Sequence, residues 1–492
     1  MRRAKIVATL GPASSSYEQI RALVDAGMNC ARINLSHGSH DEHAEVIGHV
    51  RKVSQETGKP IAVLADLQGP KIRLGRFPGG PITLAPGDTF CITTDDVPGT
   101  AARCSTTYQG LPGDVGAGDE VLIDDGRVRL RVTAVDGTDV NTVVEVGGPV
   151  SDNKGINLPG VAVSVPAMSD KDRTDLRWAL NEGADFIALS FVRSADDVED
   201  VRDIMREVGI MRPVIAKIEK PQAVENLDTI MDAFNGVMVA RGDLGVELPL
   251  EDVPVVQKEI VAMARRNAKP CIVATQMLES MISSPRPTRA EASDVANAVL
   301  DGADAVMLSG ETSVGAYPVQ SVETMARIIE STEDHGLPMM AQYTWKSKTR
   351  PGLICRAARD VAEAIDAHFM VAFTKSGDSA RRMARYRSHV PVIAFTPDPI
   401  VRDQLALTWG VETFHVPMVR HTDEMVLQVD KALLEMDRLE EGQPVLIVAG
   451  SPPGIQGSTN ALRIHNIGDA MNKVAPAYGD LAVEETSTKD PE

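Results

Sequence analysis

Two hydrophobic rhythms alternate along the first 66 residues. Lys5–Leu10 is a β-branched, apolar run that Gly11-Pro12 breaks. Ser15, with Glu18 three residues on, has the form of a capping box for a helix ending near Gly27. A strand-like run over 29–35, a helix from about Asp41 and IAVLADL at 61–67 follow. From about 70 to 165 the rhythm changes. Turn signals such as Asp125-Gly126 and Asp136-Gly137 separate short alternating runs like VRLRVTAV, which predicts a small all-β insertion. After Pro166 the first grammar returns, with strand candidates DFIALSF, PVIAKIE, GVMVARG, PCIVATQ and DAVMLSG. With the first three these make eight, and eight βα units over about 240 residues predict a closed (β/α)8 barrel.

A polar, Met-containing linker over 332–350 leads to HFMVAFT, PVIAFTP, VETFHVP and PVLIVAG, the strands of a separate open α/β domain. The expected organisation is a TIM barrel over 1–69 and 166–335, a β-rich cap over 70–165, a C-terminal α/β domain over 345–475 and an acidic, disordered tail over 476–492.

Composition narrows the function. The chain has 492 residues, 43% hydrophobic and 24% charged, an ordinary globular balance. Its net charge of −19 repels nucleic-acid backbones and anionic membranes, and 4% aromatics leaves little for base stacking. An anionic ligand therefore needs a local cationic pocket. Five dispersed cysteines without a C-x-x-C predict free thiols in a reducing compartment. No apolar run approaches a membrane span, and the N-terminus reads as strand and turn rather than signal peptide. The expected location is cytoplasmic.

In such a barrel chemistry gathers where strands end. Those ends carry Arg32, Asn34, Ser36 and His37; Asp66; Lys217 and Glu219; Arg241, Gly242 and Asp243; Thr275; and Glu311. Lys217 and Glu219, two apart on a strand, face one side. Glu219 and Asp243 suit a hard divalent ion that takes its remaining ligands from substrate and water. A structural Lys-Glu pair is the plain alternative, and the other converging side chains argue against it.

The stretches KIVATLGPASS, MNCARINLSHG, IAKIEK, MVARGDLGVELP and ATQMLESMISSPRPTRAEASDVANAVLDGADAVMLSGET closely resemble the pyruvate kinase family, and the resemblance runs over almost the whole chain. No Walker A pattern is present. The resemblance implies phosphoryl transfer from phosphoenolpyruvate to ADP, giving pyruvate and ATP. Glu219 and Asp243 would then hold Mg2+ (or Mn2+), Lys217 would stabilise the transferring phosphoryl and Arg32 would clamp it. The turn Ala240-Arg241-Gly242, with Asp243 and Thr275, would meet the substrate, Thr275 also orienting the group that protonates the enolate. Asn34, Ser36, His37, Arg73 and Lys154 would meet the nucleotide under a closing cap.

Many relatives bind K+ with counterparts of Asn34, Ser36, Asp66 and the carbonyl of Leu67, beside a motif resembling D-T-K-G-P-E-I-R. This chain reads DLQGPKIR, with Lys71 in place of the glutamate. We expect the Lys71 ammonium to supply that monovalent charge internally; the alternative is that Lys71 faces solvent while K+ still binds. Thr374, Lys375, Ser376, Gly377 and Ser379, after a strand and opening a helix, resemble the family's phosphate cradle, facing GSPPGIQGSTN at 450–460; ordinary N-capping by Ser376 is the alternative. The implied effector is a sugar phosphate or AMP, and the implied assembly a homotetramer. His40 and His43 of HDEH read as exposed polar residues, and RRMARYRSH as a solvated or phosphate-facing surface. Two rival readings are a Mg2+-dependent lyase passing through a pyruvate enolate and a catalytically dead metabolite sensor.

Overall fold

A computed structural model describes residues 2–161, 163–340, 343–455 and 457–472; the expected tail at 476–492 lies outside them. Eight parallel strands close a barrel: Lys5–Leu10, Cys30–Asn34, Ala62–Asp66, Phe186–Leu189, Val214–Ile218, Gly236–Ala240, Cys271–Ala274 and Ala305–Leu308. All five expected runs after Pro166 are strands, each trimmed to its apolar centre.

The surrounding helices begin where side chains can satisfy free amides. The first, Tyr17–Ala26, starts one residue later than the expected box: Ser16, not Ser15, accepts from the Gln19 amide, and Gly27 closes the helix at φ 119°. A full capping box opens His40–Thr57 instead, with Ser39 and Glu42 bonded reciprocally.

The segment after the third strand forms the cap, a six-stranded sheet beside a two-stranded one, with its own core around Phe90, Leu130 and Val140. Beyond the barrel, Pro318–Gly336 is helical, so the expected linker begins inside a helix. The C-terminal sheet has four parallel strands, Phe369–Phe373, Val392–Thr396, Val411–His415 and Pro444–Gly450. A fifth, Thr459–Asn466, pairs antiparallel at the edge and was not among the expected strands.

This domain closes the N-terminal end of the barrel. The short 3-10 turn Leu405–Leu407 enters the interior, where Ala406 and Leu407 pack with Val7, Leu64, Ile215, Met238, Ile272 and Met307. Here RRMARYRSH departs from expectation, because Arg385 and Arg387 are only 4% and 8% exposed. Arg387 pairs with Asp304 at 3.1 Å, donates to the Gly302 carbonyl at 2.7 Å and lies over Trp409. His40 and His43 are also only partly exposed: His40 stacks on Trp178 and bonds Asp175 at 2.8 Å, and His43 bonds the His37 carbonyl at 2.8 Å. No helix among the described residues is long and apolar enough to cross a membrane. All five cysteines are free thiols.

Candidate active site

At the other end of the barrel, charged groups converge from four strand ends. Arg32 donates from Nε to Asp66 Oδ2 at 2.7 Å and from Nη1 to the Thr9 hydroxyl at 3.0 Å. Lys217 Nζ lies 3.0 Å from Glu219 Oε1 and 3.4 Å from Asp66 Oδ1. The pair therefore faces one side, as a two-residue spacing requires. Burial alone would lower the Lys217 pKa, but Asp66 and Glu219 outweigh it and raise it. Burial would raise Asp66, yet Lys217 and Arg32 bring it below the ordinary carboxylate range. Glu219 moves the other way: burial raises it, Asp243 adds to the rise and Lys217 only partly opposes.

Glu219 is raised chiefly by burial, and the second carboxylate, Asp243, adds to a charge that Lys217 alone does not balance. Asp66 Oδ1 is buried without a close hydrogen bond and faces the Lys217 ammonium at 3.4 Å. These observations fit a bound cation. Among the described residues no three His, Cys, Asp or Glu side chains form a metal-ligating group. A divalent ion here would rest on Glu219 and Asp243, completed by oxygens from substrate and water.

The sixth strand runs directly into the helix Arg241–Glu247. The Gly242 amide donates to the Thr275 hydroxyl at 2.8 Å, joining the two strand ends expected to meet the substrate. Thr275 and Gln276 hold left-handed φ values of 69° and 55°. The Arg241 guanidinium explains how: it binds both Asp294 oxygens at 2.7 Å and the Thr275 carbonyl at 2.7 Å. Arg241 contributes its backbone to the turn, while its side chain braces Thr275. Glu311 does not join the site; its carboxylate accepts from the Leu278 and Ser309 amides.

Lys71 reaches the mouth beside Asp243. Its Nζ lies 3.7 Å from Asp243 Oδ1, and its stem passes Gly155, where a Cβ would sit 3.0 Å from Lys71 Cε. The Leu67 carbonyl accepts from Ser190 at 2.7 Å, and Asn34 Oδ1 from the Ser36 amide at 3.3 Å. The nucleotide candidates stand on two bodies. Asn34, Ser36 and His37 are on the barrel, with the Leu35 carbonyl held by Lys171 at 2.6 Å. On the cap, Arg73 donates to the Asn153 carbonyl at 3.0 Å and Lys154 pairs with Asp124 at 2.8 Å. Cap and barrel also meet at Glu247, whose Oε1 accepts from Asn157 and Lys220.

In the C-terminal domain a cleft open to solvent is lined by Lys375, Ser376, Met418, Ile455 and Ser458. The Thr374 hydroxyl accepts from Gly377 N, and Ser379 Oγ bonds Thr459. Ser376 does not cap the following helix, which begins at Gly377 without a side-chain cap. Lys375 and Ser376 line the cleft beside this loop.

Residues 1–322 match the family model described as "Pyruvate kinase, barrel domain", and 353–465 match "Pyruvate kinase, alpha/beta domain". The chain belongs to the pyruvate kinase family. It is an enzyme of that activity, a transferase of glycolysis, which removes the lyase and sensor readings. It is 58% identical over 468 residues to a pyruvate kinase of Mycobacterium tuberculosis (strain ATCC 25618 / H37Rv), covering 95% of this chain and 99% of that one. A pyruvate kinase of Corynebacterium glutamicum is 56% identical over 468 residues, 95% and 98% covered. A crystal structure of a pyruvate kinase from Cryptosporidium parvum superposes with a TM-score of 0.89 at 36% identity, covering 95% and 96%. Pyruvate kinases depend on a divalent metal ion.

Sequence reasoning missed the Ser190 hydroxyl, 2.7 Å from Lys217 Nζ, and the Phe191 amide, 2.7 Å from Glu219 Oε2. The signal available was SF at the end of DFIALSF, uncharged and inside an apolar run.

Proposed function

We propose that this enzyme transfers the phosphoryl group of phosphoenolpyruvate to ADP, giving pyruvate and ATP, at the mouth built by Arg32, Lys217, Glu219, Asp243 and Thr275. The observation that carries the reading is the Lys217 ammonium, held between Glu219 and Asp66 with Arg32 on the far side of Asp66. Phosphoryl transfer needs positioning and charge neutralisation more than covalent chemistry from the protein. Lys217 meets the moving phosphoryl and Arg32 clamps it. Glu219 and Asp243 would hold Mg2+ (or Mn2+), which would supply positive charge against the substrate oxygens. The amides of Ala240-Arg241-Gly242 and the Thr275 hydroxyl meet the substrate carboxylate, and Thr275 orients the group that protonates the enolate. Asn34, Ser36 and His37 on the barrel with Arg73 and Lys154 on the cap take ADP, so productive binding brings the two bodies together and excludes water. A coupled assay of ADP-dependent pyruvate formation from phosphoenolpyruvate tests this; metal-dependent turnover with no ADP requirement would overturn it.

The family's K+ set, Asn34, Ser36, Asp66 and the Leu67 carbonyl, is served here by Lys71. What supports this is an ammonium 26% exposed at the mouth, beside Asp243 rather than facing solvent. Its neighbour there is Asp243 at 3.7 Å, and on this reading it supplies the charge and not the coordination. In tetramethylammonium buffer free of Na+ and K+, the wild type is expected to run at full rate. Lys71→Glu is expected to lose at least about tenfold and regain it with K+. A severalfold gain of the wild type on adding K+ would end the reading.

The C-terminal cleft takes a phosphorylated activator, a sugar phosphate or AMP, with Lys375 as the single cation among its described lining residues. Calorimetry with both classes is expected to show binding that Lys375→Ala weakens; no heat with either would reduce this domain to an assembly role. A homotetramer in the cytoplasm follows from family likeness.

A further inference from the structure

Lys217 carries three ammonium protons and has three oxygens around it: it donates to Ser190 Oγ at 2.7 Å and pairs with Glu219 Oε1 at 3.0 Å and Asp66 Oδ1 at 3.4 Å. Two are carboxylates. The third, the shortest contact, is a neutral hydroxyl 1% exposed, which itself donates to the Leu67 carbonyl at 2.7 Å. Only a group that both accepts and donates can stand between an ammonium and a carbonyl, and a hydroxyl does so with one atom.

The next residue completes the grip. Phe191 donates its amide to Glu219 Oε2 at 2.7 Å from a φ of 54°, a strained conformation for a bulky side chain. Gly69 makes room for this turn. A Cβ there would lie 2.8 Å from both Ser190 Cβ and Phe191 Cδ2, and its own φ is +74°. The Gly69 amide is tied down by Asp172 at 3.0 Å. Consecutive residues on the loop after the fourth strand thus fix the ammonium and the carboxylate of one pair.

We propose that Ser190 is a positioning residue for phosphoryl transfer, its hydroxyl orienting the Lys217 ammonium from a side no acid occupies. This rests on the role of Lys217 given above. The loosest contact, to Asp66, is the one an incoming phosphoryl oxygen replaces, while Ser190 and Glu219 keep the amine in place. Without the hydroxyl, the ammonium tips toward the two carboxylates and the Leu67 carbonyl loses its donor. The substrate still binds, but the proton aimed at the phosphoryl is misdirected.

Steady-state kinetics of Ser190→Ala, Ser190→Cys, Ser190→Thr and Lys217→Met test this, with thermal unfolding of each to separate rate from fold. The Ala and Cys variants are expected to lose about 10–100-fold in kcat, with KM for phosphoenolpyruvate and ADP nearly unchanged. The Thr variant, which keeps the hydroxyl, is expected to recover most of the rate. Cys nearly matches Ser in volume, so wild-type kcat in Ser190→Cys would reduce Ser190 to packing and overturn the proposal. A rise in KM with kcat intact would do the same. If Thr fails to fold beside Gly69, the Cys variant decides alone. Full activity in Lys217→Met would instead overturn the underlying reading of Lys217.

Discussion

The two ends of the barrel are both rich in buried charge, yet they are built to opposite ends. At the bottom two buried acids have cation and amide partners. Asp304 pairs with Arg387 and accepts from the Trp409 and Cys271 amides, and Asp185 pairs with Arg51 and accepts from Val63. Leu407 fills the space between. At the top the same residue types surround an open mouth: Asp66 Oδ1 faces the Lys217 ammonium, and Glu219 is pushed up by burial, with Asp243 adding to the rise. Converging charge therefore does not mark a site. What separates the top is access: the Lys71 and Asp243 side chains are 26% and 27% exposed at the mouth, against 3% and 6% for Arg387 and Asp304.

The contrast breaks most visibly at Glu219. Glu219→Gln is expected to slow turnover by about 100-fold or more, since even residues that only orient a metal's ligands cost 10–100-fold. Its thermal midpoint is expected to hold or rise, because a neutral amide is better suited than a carboxylate to a site that already raises its pKa. Equal losses of rate and stability would mean that the top, too, is built for folding.

The mirror experiment is Arg387→Ala. It leaves Asp304 buried opposite an empty place, which costs about 3–5 kcal/mol. The midpoint should fall by many degrees, while kcat and KM of the folded fraction stay near wild type. A fall in kcat with the midpoint intact would make the bottom part of the chemistry.

How much of this was legible in the chain follows from what each signal depends on. The barrel was legible because an apolar run followed by a charged residue is a local pattern, and Lys217 and Glu219 declare their shared side by spacing alone. Ser190 was not, because its importance lies in contacts with Lys217 and Leu67 from other strands, and a serine ending an apolar run carries no charge. RRMARYRSH misled for the same reason: its partners Asp304, Gly302 and Trp409 belong to other segments. Three successive serines, Ser14, Ser15 and Ser16, offer nearly equivalent caps, and packing of Ile20, Leu23 and Val24 chose the register. Lys71 was visible as a substitution, but its approach to Asp243 depends on how the cap chain leaves the barrel.

The finest test of the contrast is the sign of two titrations. Asp66 at the top has a folded pKa below its ordinary value, so its stabilising contribution is complete above about pH 4 and lost only below. Asp185 at the bottom is raised to about 6, chiefly by burial, which outweighs Arg51 and the Val63 amide. Its contribution is therefore complete below about pH 4 and lost as pH climbs through about 6, a loss of roughly 3 kcal/mol across that window. Urea unfolding from pH 4.5 to 8 should show Asp185→Asn gaining on the wild type as pH rises, while the difference between Asp66→Asn and wild type stays level. The bottom can carry an acid whose burial outweighs its cation because nothing there has to bind. The top holds its acid ionised by surrounding it with cations, and those cations are what an incoming phosphate meets. Two parallel curves would mean that both ends treat their acids alike, and the distinction between them would fail.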